Sequence, residues 1–208
     1  MKRIILAVTV LGAAVAWALQ PGLTSIADAA AERSNSGASE YGIDNVHSAV
    51  IFRIKHMDVA YFYGRFNQLD GEIHWDADDP SNSRFDLRID VESVDTNNSN
   101  RDDHLKSPDF FNVSEYPHIT FKSRSIERRG EDRYRVRGEL AFHGESQTIT
   151  VDLNHTGARE HPRSGRPLRG FETVFRIKRS DFNMNYGIDG GAIGDEVELR
   201  IGIEAIGE

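Results

Sequence analysis

Arg101-Asp-Asp-His-Leu-Lys-Ser-Pro-Asp-Phe-Phe-Asn-Val-Ser-Glu-Tyr-Pro-His-Ile-Thr-Phe121 is the stretch whose reading decides the fold. It joins two segments of sharp polar/apolar alternation, yet it is too long and too apolar for a plain turn. Leu105, Phe110 and Phe111 are bulky side chains that need cover from water. Pro108 and Pro117 each disfavour helix at the residue before them. The expectation is a short helical insertion around residues 99–111, then an extended run into a strand. Large side chains of the insertion rest on something apolar, with Arg101 and His104 at its polar end. Phe110 and Phe111 are neighbours and in extended chain point opposite ways, so at least one is expected to enter the core.

Period-two alternation dominates on both sides of this stretch. Val50, Phe52, Ile54 and His56 share one face, as do Leu69, Gly71, Ile73 and Trp75. Phe85, Leu87, Ile89 and Val91 alternate with charged residues, and Ile119 and Phe121 follow. Tyr134 to Phe142, Ile149 to Leu153, Phe171 to Ile177 and Val197 to Ile203 complete eight strands, each with one wet and one dry face. Turn-forming clusters such as Asp76–Ser83 and Arg129–Asp132 separate them at hairpin lengths. No long helical pattern exists to cover a second sheet face. Eight antiparallel strands with one apolar face each close into an up-and-down barrel, which removes exposed edges. Such a barrel encloses either a packed core or one small ligand, and alternation alone does not choose between them.

The first ~30 residues read as a secretory signal: Lys2 and Arg3, an apolar run from Ile4 to Leu19, and small residues at Ala27-Asp-Ala29. The run is too short to span a bilayer, so no membrane span is expected after processing. Residues 31–40 are small and polar and read as a disordered lead, and residues 41–208 as the barrel domain. The chain has no cysteine, which excludes disulfides, thiolate metal sites and an acylated lipoprotein terminus. Its formal charge is −8. Removing Lys2, Arg3 and Asp28 with the leader leaves 23 basic and 32 acidic residues, a net −9. That balance argues against nucleic acid as a partner and against electrostatic attraction to anionic lipid heads. The expected compartment is the periplasm or the cell exterior.

Eight histidines invite a metal or catalytic reading, but none forms a helical ligand pair. His74, His118, His143 and His161 fall on polar phases or in turns and read as surface residues. His56 continues the dry face of its strand, either as a satisfied rim residue or as a polar ligand contact. Arg101 and His104 either hold a ligand head group or fix their own loop. No nucleophile motif, Gly-rich phosphate loop or acid–base pair is present, so neither a catalytic residue nor a metal ligand is expected and the chain is read as a non-enzyme.

The ordered set His47–His56, Gly64-Arg-Phe66, Val94-Asp-Thr96, Arg101-x-x-His-Leu…Phe110-Phe…Tyr116-Pro, Gly138–Gly144 and Arg179-Ser-Asp-Phe182 resembles the YceI-like family of polyisoprenoid-binding, lipocalin-like bacterial proteins. The resemblance runs from about Tyr41 to the C-terminus. Two stretches depart from it: Tyr61-Phe-Tyr63 is unusually aromatic for a turn before Gly64, and Asn183-Met-Asn-Tyr186 stands where a glycine is expected. The resemblance implies a lipocalin-like barrel whose apolar tunnel sequesters a long-chain amphiphile, a polyisoprenoid or an isoprenoid quinone. No cofactor is implied beyond such a lipid, and a homodimer is open. Phe52, Phe66, Phe85, Leu87, Ile89, Phe110, Phe111, Phe121, Phe142 and Phe175 are the expected tunnel wall. Arg101, His104 and His56 are the expected head-group contacts. The alternatives are an envelope isomerase or hydrolase acting on an amphiphile in the same pocket, and a filled barrel serving as an interaction module.

Overall fold

The computed structural model describes residues 38–208. The expected signal peptide and most of the expected lead lie outside the described residues. Eleven strands form one antiparallel sheet: β1 (Ser39–Ile43), β2 (Ala49–His56), β3 (Ala60–Phe66), β4 (Leu69–Trp75), β5 (Arg84–Asp90), β6 (Val94–Asp95), β7 (His118–Arg128), β8 (Arg133–Phe142), β9 (Glu145–Glu160), β10 (Pro167–Lys178) and β11 (Ile193–Gly207). The sheet closes because β1 pairs with both β4 and β11, Tyr41 facing Ile73 on one side and Gly207 on the other.

The ring has eight positions, three of them filled by broken strands. Along β11, β2 pairs with Val197–Gly202 and β1 continues the same track against Ala205–Gly207. β3 and β4 form a second broken strand, and β5 and β6 a third, Phe66 facing Val94 and Leu69 facing Ile89. The eight strands expected from alternation map one to one onto these positions. Three expectations need correction. Tyr61-Phe-Tyr63 is not a turn but the first half of β3. Ser39 and Glu40, assigned to the lead, are strand residues of β1. The helix stops at Lys106 rather than 111.

That helix, α1 (Ser99–Lys106), is too short to form unaided. Its ends are secured locally. The Asn98 side chain accepts from the Arg101 amide at 3.0 Å as N-cap. Asp102 lies in the first turn, and His104 and Lys106 in the last, as the helix dipole favours. Asp102 also accepts from the Thr96 amide at 2.9 Å, tying the helix to the end of β6. The Ser107 Cα stands in extended conformation before Pro108 and ends the helix. The insertion sits where β6 has no partner on its far side, so it covers a gap that the ladder leaves between β6 and β7.

One end of the barrel is packed solid. The Trp75 indole meets Tyr134 and Phe171 edge-on at 4.9 Å each and stacks on His155 at 5.9 Å, and Phe171 meets Phe85 at 5.2 Å. Such aromatic contacts contribute about 0.5–1.5 kcal/mol each beyond area burial. Trp75, Phe171 and Ile73 are among the most deeply buried side chains.

Candidate functional site

Above the aromatic plug the barrel is hollow. A cavity of about 580 Å³ occupies its interior, inside the range of ~300–1,000 Å³ found for small-molecule sites. The wall is almost wholly apolar because each strand turns its dry face inward. Phe52 comes from β2, Phe66 from β3, Phe85, Leu87 and Ile89 from β5, Phe121 from β7, Phe142 from β8 and Phe175 from β10. Leu87, Phe121 and Phe175 face inward yet are only partly buried, as expected where no side chain fills the space opposite.

Two glycines shape this wall. Gly64 faces Phe52 across the β2–β3 pair, and a Cβ there would lie 2.3 Å from the Phe52 ring tip. A Cβ at Gly138 would lie 2.5 Å from the Phe121 ring tip. Each ring lies flat over a glycine of the neighbouring strand, against the wall rather than across the lumen.

The exposed lining residues are His56, Ala60, Tyr61, Arg101, His104 and Tyr186. All belong to one end: the β2–β3 hairpin, α1, and the loop between β10 and β11. That end is the mouth, opposite Trp75. Phe110 and Phe111 both line the cavity, contrary to the expectation that neighbours diverge. The chain there is a succession of turns and not a strand. The Phe110 amide donates to Ser107 O and the Phe111 amide to Leu105 O, and Asn112 has φ 48°. Phe111 meets Phe66 edge-on at 5.6 Å, and Phe110 meets Tyr186 at 5.0 Å and His104 at 5.0 Å.

The polar trio also lines the cavity. Arg101 donates from Nε to Thr96 Oγ1 and from a terminal nitrogen to Thr96 O, both at 2.8 Å, and lies over the Phe62 ring at 4.3 Å. It therefore fixes its own loop and stands at the mouth as well. The Nε2 of His104 is 2.9 Å from Asp109 Oδ2. His56 stands exposed on the rim and has no side-chain hydrogen bond among the described residues.

Alternation extends one step beyond the expected wall. Phe171, Thr173, Phe175 and Ile177 point inward along β10, and the next residue in phase is Arg179. It is 2 % exposed and lines the cavity. Its guanidinium donates to Gly194 O at 2.8 Å, Met184 O at 3.0 Å and Ile193 O at 3.1 Å. Burial holds its pKa below the ordinary guanidinium value. Met184, from the loop between β10 and β11, and Ile193, the first residue of β11, join the wall.

Of the four histidines read as surface residues, His118 is exposed, whereas His74, His143 and His161 are partly buried. His143 bonds through Nδ1 to Phe182 O at 2.9 Å, which draws its ring inward, and His74 lies 3.2 Å from Glu40 once Glu40 is a strand residue. Away from the cavity, Asp44, His47 and Glu204 set ligand-type atoms within 4.8 Å of one another. His47 Nδ1 is 2.9 Å from Asp44 Oδ2, an ion pair at the turn joining β1 to β2. No helix of the described residues is long and apolar enough to cross a membrane.

Comparison with known proteins agrees with this architecture. Protein YceI of Salmonella newport (strain SL254) is 37 % identical over 171 residues, covering 81 % of this chain and 87 % of that protein. The crystal structure of Burkholderia cenocepacia BcnA superposes with a TM-score of 0.71 at 26 % identity, over 78 % of this chain and 98 % of that one. The YceI protein of Campylobacter jejuni gives a TM-score of 0.65 at 30 % identity, over 80 % and 96 %. A polyisoprenoid binding domain from Saccharophagus degradans shares the fold with a TM-score of 0.65 at 20 % identity. The sequence model of the YceI-like domain matches residues 41–205, and the chain belongs to the YceI-like family.

Proposed function

We propose that the protein binds and sequesters one long-chain amphiphile, a polyisoprenoid or an isoprenoid quinone, inside the barrel, and that it does so as an exported protein of the periplasm. The observation that carries this is the apolar cavity of about 580 Å³, closed by Trp75 at one end and ringed with polar side chains at the other. A hydrocarbon chain gains on the order of 0.8 kcal/mol per buried methylene, offset by the cost of ordering it. Affinity then comes from the chain and orientation from the mouth. Family membership and the polyisoprenoid binding named for the Saccharophagus degradans domain support the choice of ligand class. Binding rather than catalysis is favoured by membership of the YceI-like family and by a wall built almost wholly of apolar side chains.

The test is native mass spectrometry of the protein purified from its own envelope, with extraction and identification of any bound lipid. A stoichiometric prenyl lipid that disappears in Leu87→Trp supports the proposal. Empty protein that also fails to take up added prenyl chains refutes it.

A further inference from the structure

Arg179 is a charged group where the packing calls for none. It lies in the inward phase of β10, 2 % exposed, on the wall of an otherwise apolar cavity. Buried cations are ordinarily paired with a carboxylate, yet among the described residues no carboxylate oxygen lies within 4.0 Å of this guanidinium. Asp195, whose charge acts on it, is engaged elsewhere: its oxygens accept from the Ser180 amide and hydroxyl at 2.9 Å each. A guanidinium carries five N–H donors. Three of them meet the carbonyls of Met184, Ile193 and Gly194. Two N–H groups, one on each terminal nitrogen, have no acceptor among the described residues. Clamping the loop accounts for three donors, but not for the positive charge or the remaining two.

We propose that Arg179 is the anionic anchor of the cavity and takes a charged oxygen of the amphiphile's head, a phosphate or carboxylate, in preference to a neutral carbonyl. The two free N–H groups sit one on each terminal nitrogen, the arrangement that receives two oxygens of one anion. A full counter-charge would also complete the pairing that Asp195 leaves unmade. The site stands at the mouth end, beside Met184 and Ile193, so a head held there leaves the chain to run toward Trp75. The proposal rests on the cavity's being a lipid site and adds to it the charge of the head.

The test uses two probes of identical chain, a fluorescent C18 polyene fatty acid and its methyl ester, on the full protein, Arg179→Met and Arg179→Lys. The wild type is expected to prefer the acid by about 10- to 150-fold, the worth of a hydrogen bond to a charged group. Arg179→Met is expected to lose that preference while still binding the ester, and Arg179→Lys to keep part of it. Equal affinity of the wild type for both probes overturns the anionic anchor while leaving the lipid site standing. An unchanged preference in Arg179→Met reduces Arg179 to a loop clamp. Failure of both probes and of prenyl chains to bind removes the lipid site itself and the anchor with it. Should Arg179→Met not fold, ¹³C-carboxyl palmitate bound to the wild type gives the answer without a variant. A carboxyl that stays ionised well below its titration in water supports the anchor, and one that titrates as in water or higher overturns it.

Discussion

Gly64→Ala is the sharpest probe of how the lumen is kept open. The new Cβ would lie 2.3 Å from Phe52 Cζ and 2.8 and 2.9 Å from its two Cε atoms. Carbon atoms in contact sit about 3.5–4.0 Å apart, so the ring tip must retreat by roughly 1.5 Å. Only the distal end of one side chain is in the way, and the cavity is there to receive it. The stability cost therefore falls at the low end of the ~1–3 kcal/mol typical of overpacking, partly offset by the ~0.4–1 kcal/mol that removing a glycine takes from the unfolded chain. Binding suffers more. A ring displacing two methylenes of ligand costs about 1.6 kcal/mol, or ~15-fold in affinity. Gly138→Ala is the control. Its Cβ would meet the Phe121 ring at 2.5 Å but also the Lys122 carbonyl oxygen at 2.6 Å, and that backbone cannot retreat without opening the β7–β8 ladder. We expect Gly138→Ala to lose ~3 kcal/mol or more in urea unfolding. Gly64→Ala should stay within ~1 kcal/mol of wild type and bind prenyl chains ~15-fold more weakly. Equal stability of the two variants would refute the contact argument, and full-strength binding by Gly64→Ala would refute the lumen as the site.

Leu87→Trp should fill the lumen and abolish prenyl-chain binding with little loss of melting temperature, because Leu87 is only partly buried and faces the cavity; a loss of several kcal/mol would mean that the space is not there. Phe110→Ala should cost ~3–5 kcal/mol in chemical unfolding, Phe110 being 6 % exposed, and the half-buried Phe111→Ala less, whereas Arg101→Ala should spare the barrel and loosen the mouth; two phenylalanine variants that melt like wild type would make the insertion a surface loop. At the β2–β3 hairpin, Met57 (φ 49°) and Asp58 (φ 54°) both occupy the left-handed region, so the β-branched Asp58→Val should cost about 1–2 kcal/mol of left-handed strain, read by thermal unfolding. Asp44 raises the His47 pKa above 6.5, and His47 lowers that of Asp44 below 3.8. The histidine's contribution is complete below its unfolded pKa and fades as pH rises through the raised value, while the aspartate's is present above 3.8 and fades as pH falls. NMR titration should place His47 above the ordinary imidazole range, and Asp44→Asn should return it there.

The ring was legible because each of its eight positions contains a strand with a clean wet and dry face. β3 was hidden because Tyr61 and Tyr63 on its outer face are as aromatic as Phe62 and Phe66 on its inner one, so polarity does not alternate. β1 was hidden by brevity: five residues, Ser39–Ile43, carry only Tyr41 and Ile43 as apolar marks. Alternation cannot report whether the inward side chains meet across the axis. That depends on where the rings lie, and they lie flat because Gly64 and Gly138 stand beneath Phe52 and Phe121. The insertion's outline was readable from Pro108 and Pro117, but not its path after α1. There Asn112 in the left-handed region and the hydrogen bonds back to Leu105 and Ser107 turn both Phe110 and Phe111 inward.

The placement of polar groups on the inward phase gives the cavity a direction. His56 and Arg179 each continue a dry face by one step, and both do so at the end of the barrel away from Trp75. Arg101 and His104 reach the same end from α1. The far end offers a bound molecule apolar side chains such as Phe85, Leu153 and Ile203, backed by the Trp75 and Phe171 rings, and the Thr173 hydroxyl there already donates to Asp152 O at 2.8 Å. An amphiphile entering head first would strand its polar group among these rings, at a cost of roughly 2–7 kcal/mol for an unpaired group. Tail first, it leaves the head among donors and gives up nothing along the chain. The two orientations bury the same hydrocarbon, so the methylene contribution cancels and the four side chains at the mouth decide between them. Even the lower figure corresponds to about a 30-fold preference, enough for a single orientation to dominate.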